Sequence, residues 1–360
     1  MMQPLRGITV LDFSTLLPGP MASLMLAEAG ARVIKIERPG GDELRQFPPE
    51  HGTSSAPFMS LNGGKLTEIL DLKQPLHLAR ARELALDADV LIEQFRPGVM
   101  QRLGLGHEAL RAANPRLIYC SITGFGQTGA RATMAGHDLN YQALSGVLSQ
   151  GLVRGAPPPM PPALIADIAG GAYPAVMNIL LALRQRDASG EGCHLDISMT
   201  DGAAAFGWFP QAMSAASGIA PAGGGSLLTG GSPRYRIYPT SDGWFLTVAA
   251  LEDRFWSVFT AAIDLPEPLR DARAPADAVF QAIADIISAS PADHWRSVLE
   301  PMDCCCAVVR TLDDVDIDTG PRVRDSSGAT IPLARVPIDA RFRASAEIDR
   351  TVPELNGLTD

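Results

Sequence analysis

Strand and helix patterns alternate through the first two hundred residues, and this alternation constrains the fold more than any other feature of the chain. Short apolar runs rich in β-branched residues are separated by helical stretches, and the runs lie at residues 8–13, 31–36, 89–95, 116–121 and 193–199. A helix that follows each strand returns the chain to the same edge of a sheet, so that neighbouring strands run parallel. The pattern predicts an α/β fold with a Rossmann-like, doubly wound, mostly parallel sheet.

The turn after the first predicted strand lacks the glycine pattern of dinucleotide-binding proteins. Residues 14–20 read STLLPGP, without the Gly-x-Gly-x-x-Gly sequence that lets a pyrophosphate approach the backbone. The sequence therefore excludes an NAD-dependent dehydrogenase, although the predicted topology is similar.

The pattern changes near residue 217, which indicates a second domain. A glycine-rich segment is followed by two apolar runs on either side of the turn residues 240–243, which is typical of a hairpin. Helical stretches follow. The expected organisation is a large Rossmann-like domain at 1–217, a linker at 218–233, a small α+β domain at 234–331, and a return to the large domain at about 332–360.

Composition narrows the class of protein. The net charge of −10 argues against a nucleic-acid partner, because phosphate binding needs a basic surface. No signal sequence and no run of roughly 18 apolar residues is recognisable, so we expect a cytoplasmic protein without a membrane partner. The five cysteines include no Cys-x-x-Cys spacing, which argues against a metal site and favours reduced thiols.

One histidine and one aspartate stand out as candidate catalytic residues. His137 follows a glycine-punctuated run at 123–129, and Asp167 opens a long apolar segment. A base and an acid placed in this way could take a proton from one face of a carbon and return it to the other. Two structural alternatives remain open: Asp167 has the position of an N-cap for a helix at 168–186, and a lone histidine is commonly structural.

Several short motifs lie along the chain: PLRGITVLD at 4–12, LDLK at 70–73, FRPGV at 95–99, RLGLG at 102–106 and TGFG at 123–126. Together they resemble the class III CoA-transferase family, also named the CaiB/BaiF family, from about residue 4 to about residue 310. Within that family, GHDLNY at 136–141, the Asp167 segment and AALE at 249–252 resemble the α-methylacyl-CoA racemase branch. The sequence departs from the family pattern at 61–68, where Glu68 stands in a usually basic segment, and at 313–329.

The resemblance implies an acyl-CoA thioester substrate, an interlocked homodimer, and no metal or redox cofactor, with coenzyme A present only as part of the substrate. It implies that arginines hold the phosphates and that neighbouring residues border the adenosine. The residues that it assigns to coenzyme A are Arg38, Leu72, Lys73, Arg96, Arg102 and Gly124.

For the chemistry, the resemblance implies a racemase or epimerase that acts through an enolate. His137 and Asp167 would serve opposite faces of the α-carbon, and Glu252 would support Asp167 or orient His137. Asp138 would either help to bind the thioester or cap the following helix. Backbone N–H groups at the start of the 168–186 helix would face the enolate oxygen.

Two other functions remain open. A CoA-transferase would use Asp167 as a nucleophile, forming a mixed anhydride and then an aspartyl-CoA thioester. A catalytically inactive acyl-CoA-binding protein would keep the fold alone. The pairing of His137 with Asp167 favours the racemase, because a transferase has no evident use for a histidine on the opposite face. The acyl group is left open.

Overall fold

The computed structural model describes residues 3–152, 157–220, 223–315, 320–343 and 350–355. Within them the β-strands are β1 (Thr9–Asp12), β2 (Arg32–Glu37), β3 (Glu50–His51), β4 (Ser54–Ser55), β5 (Leu66–Ile69), β6 (Val90–Glu93), β7 (Ile118–Thr123), β8 (His194–Ser198), β9 (Arg236–Pro239), β10 (Phe245–Val248), β11 (Cys306–Val308), β12 (Arg322–Arg324) and β13 (Thr330–Pro332). The α-helices are α1 (Pro18–Glu28), α2 (Ala56–Asn62), α3 (Pro75–Asp87), α4 (Val99–Arg102), α5 (His107–Ala113), α6 (Asp138–Leu144), α7 (Tyr173–Ser189), α8 (Met199–Ala204), α9 (Trp208–Ser217), α10 (Asp253–Ala262), α11 (Glu267–Arg270), α12 (Ala276–Ser288) and α13 (Ala292–Leu299).

The central sheet has six strands in the order β5-β2-β1-β6-β7-β8. All its neighbouring strands pair in parallel, which confirms the predicted fold class. The chain builds outward from β1 through β2 to β5, then returns to the other side of β1 and continues through β6, β7 and β8. The strand order therefore reverses between β1 and β6, and in open α/β sheets ligands bind in the crevice at such a switch point.

Helices cover both faces of this sheet, and that explains the nearly continuous burial of its four central strands, β2, β1, β6 and β7. Val10 and Val90 pack on one face with residues of α1 and α7. Leu11 and Leu91 pack on the other face with residues of α3 and α5. Every residue of β7, Ile118–Thr123, is buried, as parallel strands between two helix layers require.

Contacts divide the chain into two units with boundaries that differ from the expected domains. Unit 1 contains Met1–Gly146, Pro161–Phe206 and Ile317–Asp360, and unit 2 contains Val147–Met160 and Gly207–Asp316. The glycine-rich segment and α9 thus belong to unit 2. Strands β12 and β13 belong to unit 1 because they pack on α2, where the Ala334 N–H donates to the Ser60 carbonyl over 2.9 Å.

Unit 2 is an α+β structure with a three-stranded antiparallel sheet, ordered β11-β10-β9. The predicted hairpin is confirmed: β9 pairs with β10, and Phe245 lies opposite Pro239. Leu246 and Val248 of β10 pack with Phe259 of α10 and Ile283 of α12 in a separate apolar core.

The helix predicted at 168–186 begins earlier than expected and in a different form. Ile165–Ala172 is a π-helix that continues into α7. Its Gly170 lies directly against Gly202 of α8, where a Cβ on Gly202 would be 2.0 Å from the Gly170 carbonyl oxygen. The two backbones can approach this closely only because both residues are glycine.

The combined helix Ile165–Ser189 has 25 residues and is long and apolar enough to cross a membrane by length and composition alone. It is longer than the helix predicted at 168–186, because Ile165–Ala172 continues directly into α7. Ala175 and Ile179 are buried in the core of unit 1, whereas Met177 and Leu181 are exposed. The helix is therefore apolar on two sides.

Candidate active site

A cavity of about 440 Å³ opens at the carboxyl ends of β1, β6 and β7, at the reversal of strand order. All the residues that line it belong to unit 1. They are Thr15, Leu16, Pro18, Gln94, Phe95, Arg96, Pro97, Ile122, Thr123, Gly124, Ala132, Met134, Ala135, Gly136, His137, Asn140, Tyr141, Asp167 and Met199. The structure thus brings together four of the residues predicted from the sequence: His137, Asp167, Arg96 and Gly124.

Asp167 lies in the first turn of the π-helix and lines this cavity. The helix begins at Ile165, with Leu164 at the cap position, so the N-cap interpretation of Asp167 is wrong. Within the described residues its carboxylate accepts no hydrogen bond from another residue. Burial, and then the negative charge of Asp138, raise the pKa of Asp167 to about 6, while the charge of His137 acts in the opposite direction.

Asp138 is a buried carboxylate that holds the backbone around Asp167. Its Oδ1 accepts hydrogen bonds from the N–H groups of Ala166 (2.8 Å) and Asp167 (2.9 Å), and its Oδ2 accepts one from Nε2 of Gln142 (2.6 Å). The expected cap of the following helix is wrong, because Asp138 instead accepts the N–H groups at the start of the helix that begins at Ile165. Its role in binding the thioester stays a prediction.

The same contacts overturn the expected position of the enolate-binding N–H groups. The N–H groups of Ala166 and Asp167 donate to Asp138, and that of Ile168 donates to the Leu164 carbonyl over 3.0 Å. These donors at the start of the helix are already satisfied. They cannot also bind an enolate oxygen without losing their present partners.

His137 occupies the N-cap position of α6 and is exposed on the cavity wall. Its backbone N–H donates to Oδ1 of Asn140 over 3.1 Å, and its carbonyl accepts the N–H of Asn140 over 2.8 Å. These reciprocal bonds fix the backbone from which the imidazole projects. The imidazole thus faces the same cavity as the carboxylate of Asp167.

Tyr141 is a site residue that the sequence analysis did not single out. Its hydroxyl donates to the Gly136 carbonyl over 2.5 Å, and its ring packs edge-on against Phe125. Gly124, expected to contact coenzyme A, also serves this packing, since a Cβ there would lie 2.5 Å from the Tyr141 ring. In the sequence, only the glycines that lie against this ring, Gly124 and Gly136, could have indicated the contact.

None of the other four residues assigned to coenzyme A lines the cavity, although three of them follow strand ends along the same edge of the sheet. Arg38 follows β2 and forms an exposed ion pair with Glu43 over 2.6 Å. Leu72 and Lys73 follow β5, and Arg102 is the last residue of α4. The unexpected Glu68 pairs with Arg80 over 2.8 Å, so its charge is met by a neighbouring helix.

Glu252 lies in unit 2, at the N-cap position of α10. It is exposed, and its side chain makes no capping hydrogen bond. Its expected role in catalysis stays a prediction. Among the described parts of the chain, no group of three or more His, Cys, Asp or Glu side chains is placed to hold a metal ion.

The sequence as a whole matches known proteins over nearly its full length. The family model described as CoA-transferase family III matches residues 5–357. The chain belongs to this family. It is therefore an enzyme of CoA-transferase family III, a family whose members include both racemases and transferases by name.

Both activities occur among the similar proteins. The human α-methylacyl-CoA racemase is 38% identical over 317 residues, which cover 86% of this chain and 79% of that protein. The acetyl-CoA:oxalate CoA-transferase of Acetobacter aceti is 37% identical over 306 residues, which cover 82% of this chain and 78% of that one. Among solved structures, a CaiB/BaiF family protein from Brucella suis has a TM-score of 0.79 at 28% identity, covering 97% of this chain and 94% of the other.

Proposed function

We propose that this enzyme interconverts the epimers of 2-methylacyl-CoA thioesters by 1,1-proton transfer. The observation that carries the proposal is that His137 and Asp167 line one cavity at the strand-order switch point. Racemisation at a carbon needs a proton carrier for each face of the planar intermediate. The human and mouse racemases, 38% and 35% identical to this chain, support the same reaction.

In the proposed mechanism Asp167 and His137 exchange one proton each with the α-carbon. Asp167, with a pKa of about 6, is mostly ionised at neutral pH and can accept the α-proton. The electron pair of the C–H bond then delocalises into the thioester carbonyl as an enolate. Delivery of a proton from His137 to the other face restores the C–H bond with inverted configuration, and the roles reverse for the opposite epimer.

Positive charge for coenzyme A is available along the same edge of the sheet. Arg96 lines the cavity, and an arginine can bind a phosphate through two parallel hydrogen bonds. Arg38 and Lys73 follow β2 and β5 on that edge, and Arg102 is the last residue of α4, which follows β6; these three residues extend the proposed binding region for the nucleotide. We propose that no redox cofactor takes part, because proton transfer changes no oxidation state, and that the reaction uses no metal.

A CoA-transferase is the second candidate, favoured by transferases that are 37% and 39% identical to this chain. The half-buried carboxylate of Asp167, free of hydrogen bonds from the described residues, could attack the acyl carbonyl. That step would form a mixed anhydride and release the coenzyme A thiolate. The placement of His137 in the same cavity as Asp167 favours the racemase over this reaction.

We also propose a homodimer, supported by an exposed apolar face on α7. Tyr173, Met177, Leu180 and Leu181 follow helical spacing, and Met177 and Leu181 are 57% and 62% exposed. Contiguous exposed apolar side chains of this kind mark interaction surfaces. Sedimentation equilibrium would test the proposal: M177E/L181E should be monomeric if this face lies in the interface, and a wild-type protein that is itself monomeric would refute it.

The proposed reaction is tested by incubating the enzyme with one epimer of a 2-methylacyl-CoA in deuterated water, without any acyl acceptor. Racemisation predicts deuterium at the α-carbon and an equal mixture of the two epimers by mass spectrometry and chiral separation. Three results together would establish the transferase instead. The α-carbon would take up no deuterium, CoA would be transferred when a carboxylate acceptor is added, and hydroxylamine would trap an acyl group on Asp167. Tight acyl-CoA binding with neither reaction would indicate an inactive binding protein.

A further inference from the structure

The segment 14–20, here termed the wall loop, joins β1 to the first turn of α1 and rests on buried charged side chains. We propose that the buried ion pair between Lys35 and Asp42 is a positioning device that fixes the wall loop as one side of the acyl-CoA cavity. This inference rests on the proposed function, because it concerns how the substrate is placed for reaction.

The two side chains of the ion pair contact each other and the backbone of the wall loop. Nζ of Lys35 lies 2.8 Å from Oδ2 of Asp42, and both side chains are fully buried. The same Nζ donates to the carbonyl of Ser14 over 2.7 Å. On the other side of the pair, Oδ1 of Asp42 accepts the N–H of Leu16 over 3.2 Å. Two consecutive parts of the loop backbone are thus bound by one ion pair.

Three further buried or half-buried side chains hold the rest of the wall loop. Oδ1 of Asp12 accepts the N–H of Ser14 over 2.9 Å. Nζ of Lys65 donates to the carbonyl of Pro20 over 2.9 Å. Oε1 of Gln94 accepts the N–H of Gly19 over 2.9 Å. Asp12 ends β1, Lys65 directly precedes β5 and Gln94 directly follows β6, so the loop backbone is fixed relative to the sheet at several points.

The conformation of Leu16 shows why the loop needs this support. Its φ is +60°, in the left-handed region that residues with a Cβ rarely adopt. Such a conformation persists where surrounding contacts determine it, and it is concentrated at functional sites. Leu16, together with Thr15 and Pro18, lines the cavity that also contains His137 and Asp167.

Buried ion pairs are a poor means of stabilising a fold, because apolar residues of similar size often stabilise it equally well. A role in specifying one loop conformation explains the placement of these charges better. Release of the loop would leave the phosphate-binding residues unchanged but would let the thioester shift relative to His137 and Asp167. A displacement of about 1 Å can reduce a reaction rate by roughly a hundredfold.

The test replaces the pair by apolar residues of similar size, in K35M/D42L. Its matched control is E28L/R350M, which removes the buried ion pair between Glu28 and Arg350 (2.7 Å) in the same unit; neither of those residues lines the cavity. Deuterium wash-in at the α-carbon gives kcat and KM for each protein. We expect K35M/D42L to lose at least about tenfold in kcat with KM changed less than about threefold, and the control to keep both values.

A third variant, L16G, keeps every buried charge and relieves the left-handed strain, so it serves if K35M/D42L does not fold. It should also lose kcat, because glycine widens the range of backbone conformations open to position 16 and the wall side chain is gone. The positioning role is overturned if folded K35M/D42L or L16G has the wild-type kcat, or if the control loses as much. If the wild-type protein transfers CoA and does not exchange the α-proton, the proposed function fails. The positioning role is then tested by comparing the CoA-transfer rates of the wild type, K35M/D42L, E28L/R350M and L16G. A wild-type protein with neither activity overturns both the proposed function and the positioning role.

Discussion

Asp167→Asn should make the enzyme more stable while it destroys the proposed chemistry. Asparagine has nearly the same shape as aspartate but cannot ionise. In the folded protein burial and the charge of Asp138 raise the pKa of Asp167 from the ordinary 3.8 to about 6. The wild-type carboxylate is therefore held in an environment that disfavours its charged form, and the variant has no such charge to bury.

The pH range of this effect follows from the sign of the shift. A folded-state pKa above the unfolded value means that the folded protein binds the proton more tightly, so stability is fully present below pH 3.8 and is lost as pH rises through about 6. The shift corresponds to about 3 kcal/mol at most, and partial exposure of Asp167 reduces it to roughly 1–3 kcal/mol. The gain from Asp167→Asn should be complete at pH 8 and roughly half as large at pH 5.

Urea unfolding of the wild-type protein and the variant at both pH values measures this difference directly. The transition midpoint of Asp167→Asn should exceed that of the wild type by more at pH 8 than at pH 5, with unchanged m-values. Asp201→Asn, an exposed position in α8, is a control that should show no comparable pH-dependent gain. An equal or lower stability of Asp167→Asn at pH 8 would refute the account of Asp167 as a carboxylate destabilised by its site.

Three other changes have defined outcomes. Gly202→Ala should abolish activity and lower the melting temperature, because the new Cβ would lie 2.0 Å from the Gly170 carbonyl and force the helix of Asp167 away from α8; a wild-type melting temperature would contradict this. Asp138→Asn removes a charge that raises the pKa of Asp167, so the acidic limb of the kcat profile should move below pH 6, and a shift upward would contradict it. Leu246→Ala, at a fully buried position in unit 2, should cost about 2–5 kcal/mol of unfolding free energy in urea, and a loss below 1 kcal/mol would contradict that packing.

The architecture of the sheet was predictable because its signal is local. The four central strands β2, β1, β6 and β7 are short runs in which β-branched and apolar residues predominate, and their burial on both faces leaves little polar alternation to confuse the pattern. The edge strand β5 was not predicted, because half of its residues are polar and it is only partly buried. The π-helical turn at Ile165–Ala172 was not predictable, since it depends on the contact between Gly170 and Gly202. Neither glycine indicates its partner in the sequence.

The site was predictable only in part, for the same reason. His137 and Asp167 stood out through the motifs around them, and both line the cavity. The function of Asp138 depends on where the backbone at Ala166 lies. Lys35 follows Ile34 in β2, and the sequence did not indicate which face of the sheet its side chain occupies. Its complete burial depends on the ion pair with Asp42. Partners that meet only when the chain folds back leave no periodic signal along the chain.

The central claim is that His137 and Asp167 serve opposite faces of the α-carbon, and α-proton exchange by single variants tests it most directly. His137→Ala and Asp167→Asn are each incubated with each epimer of a 2-methylacyl-CoA in deuterated water and followed by proton NMR, with coenzyme A binding as the control for folding. Neither variant should interconvert the epimers, and we expect each to exchange the α-proton of one epimer only, with the opposite preference. Epimerisation at the wild-type rate by either variant, or exchange of the same epimer by both, would contradict the account.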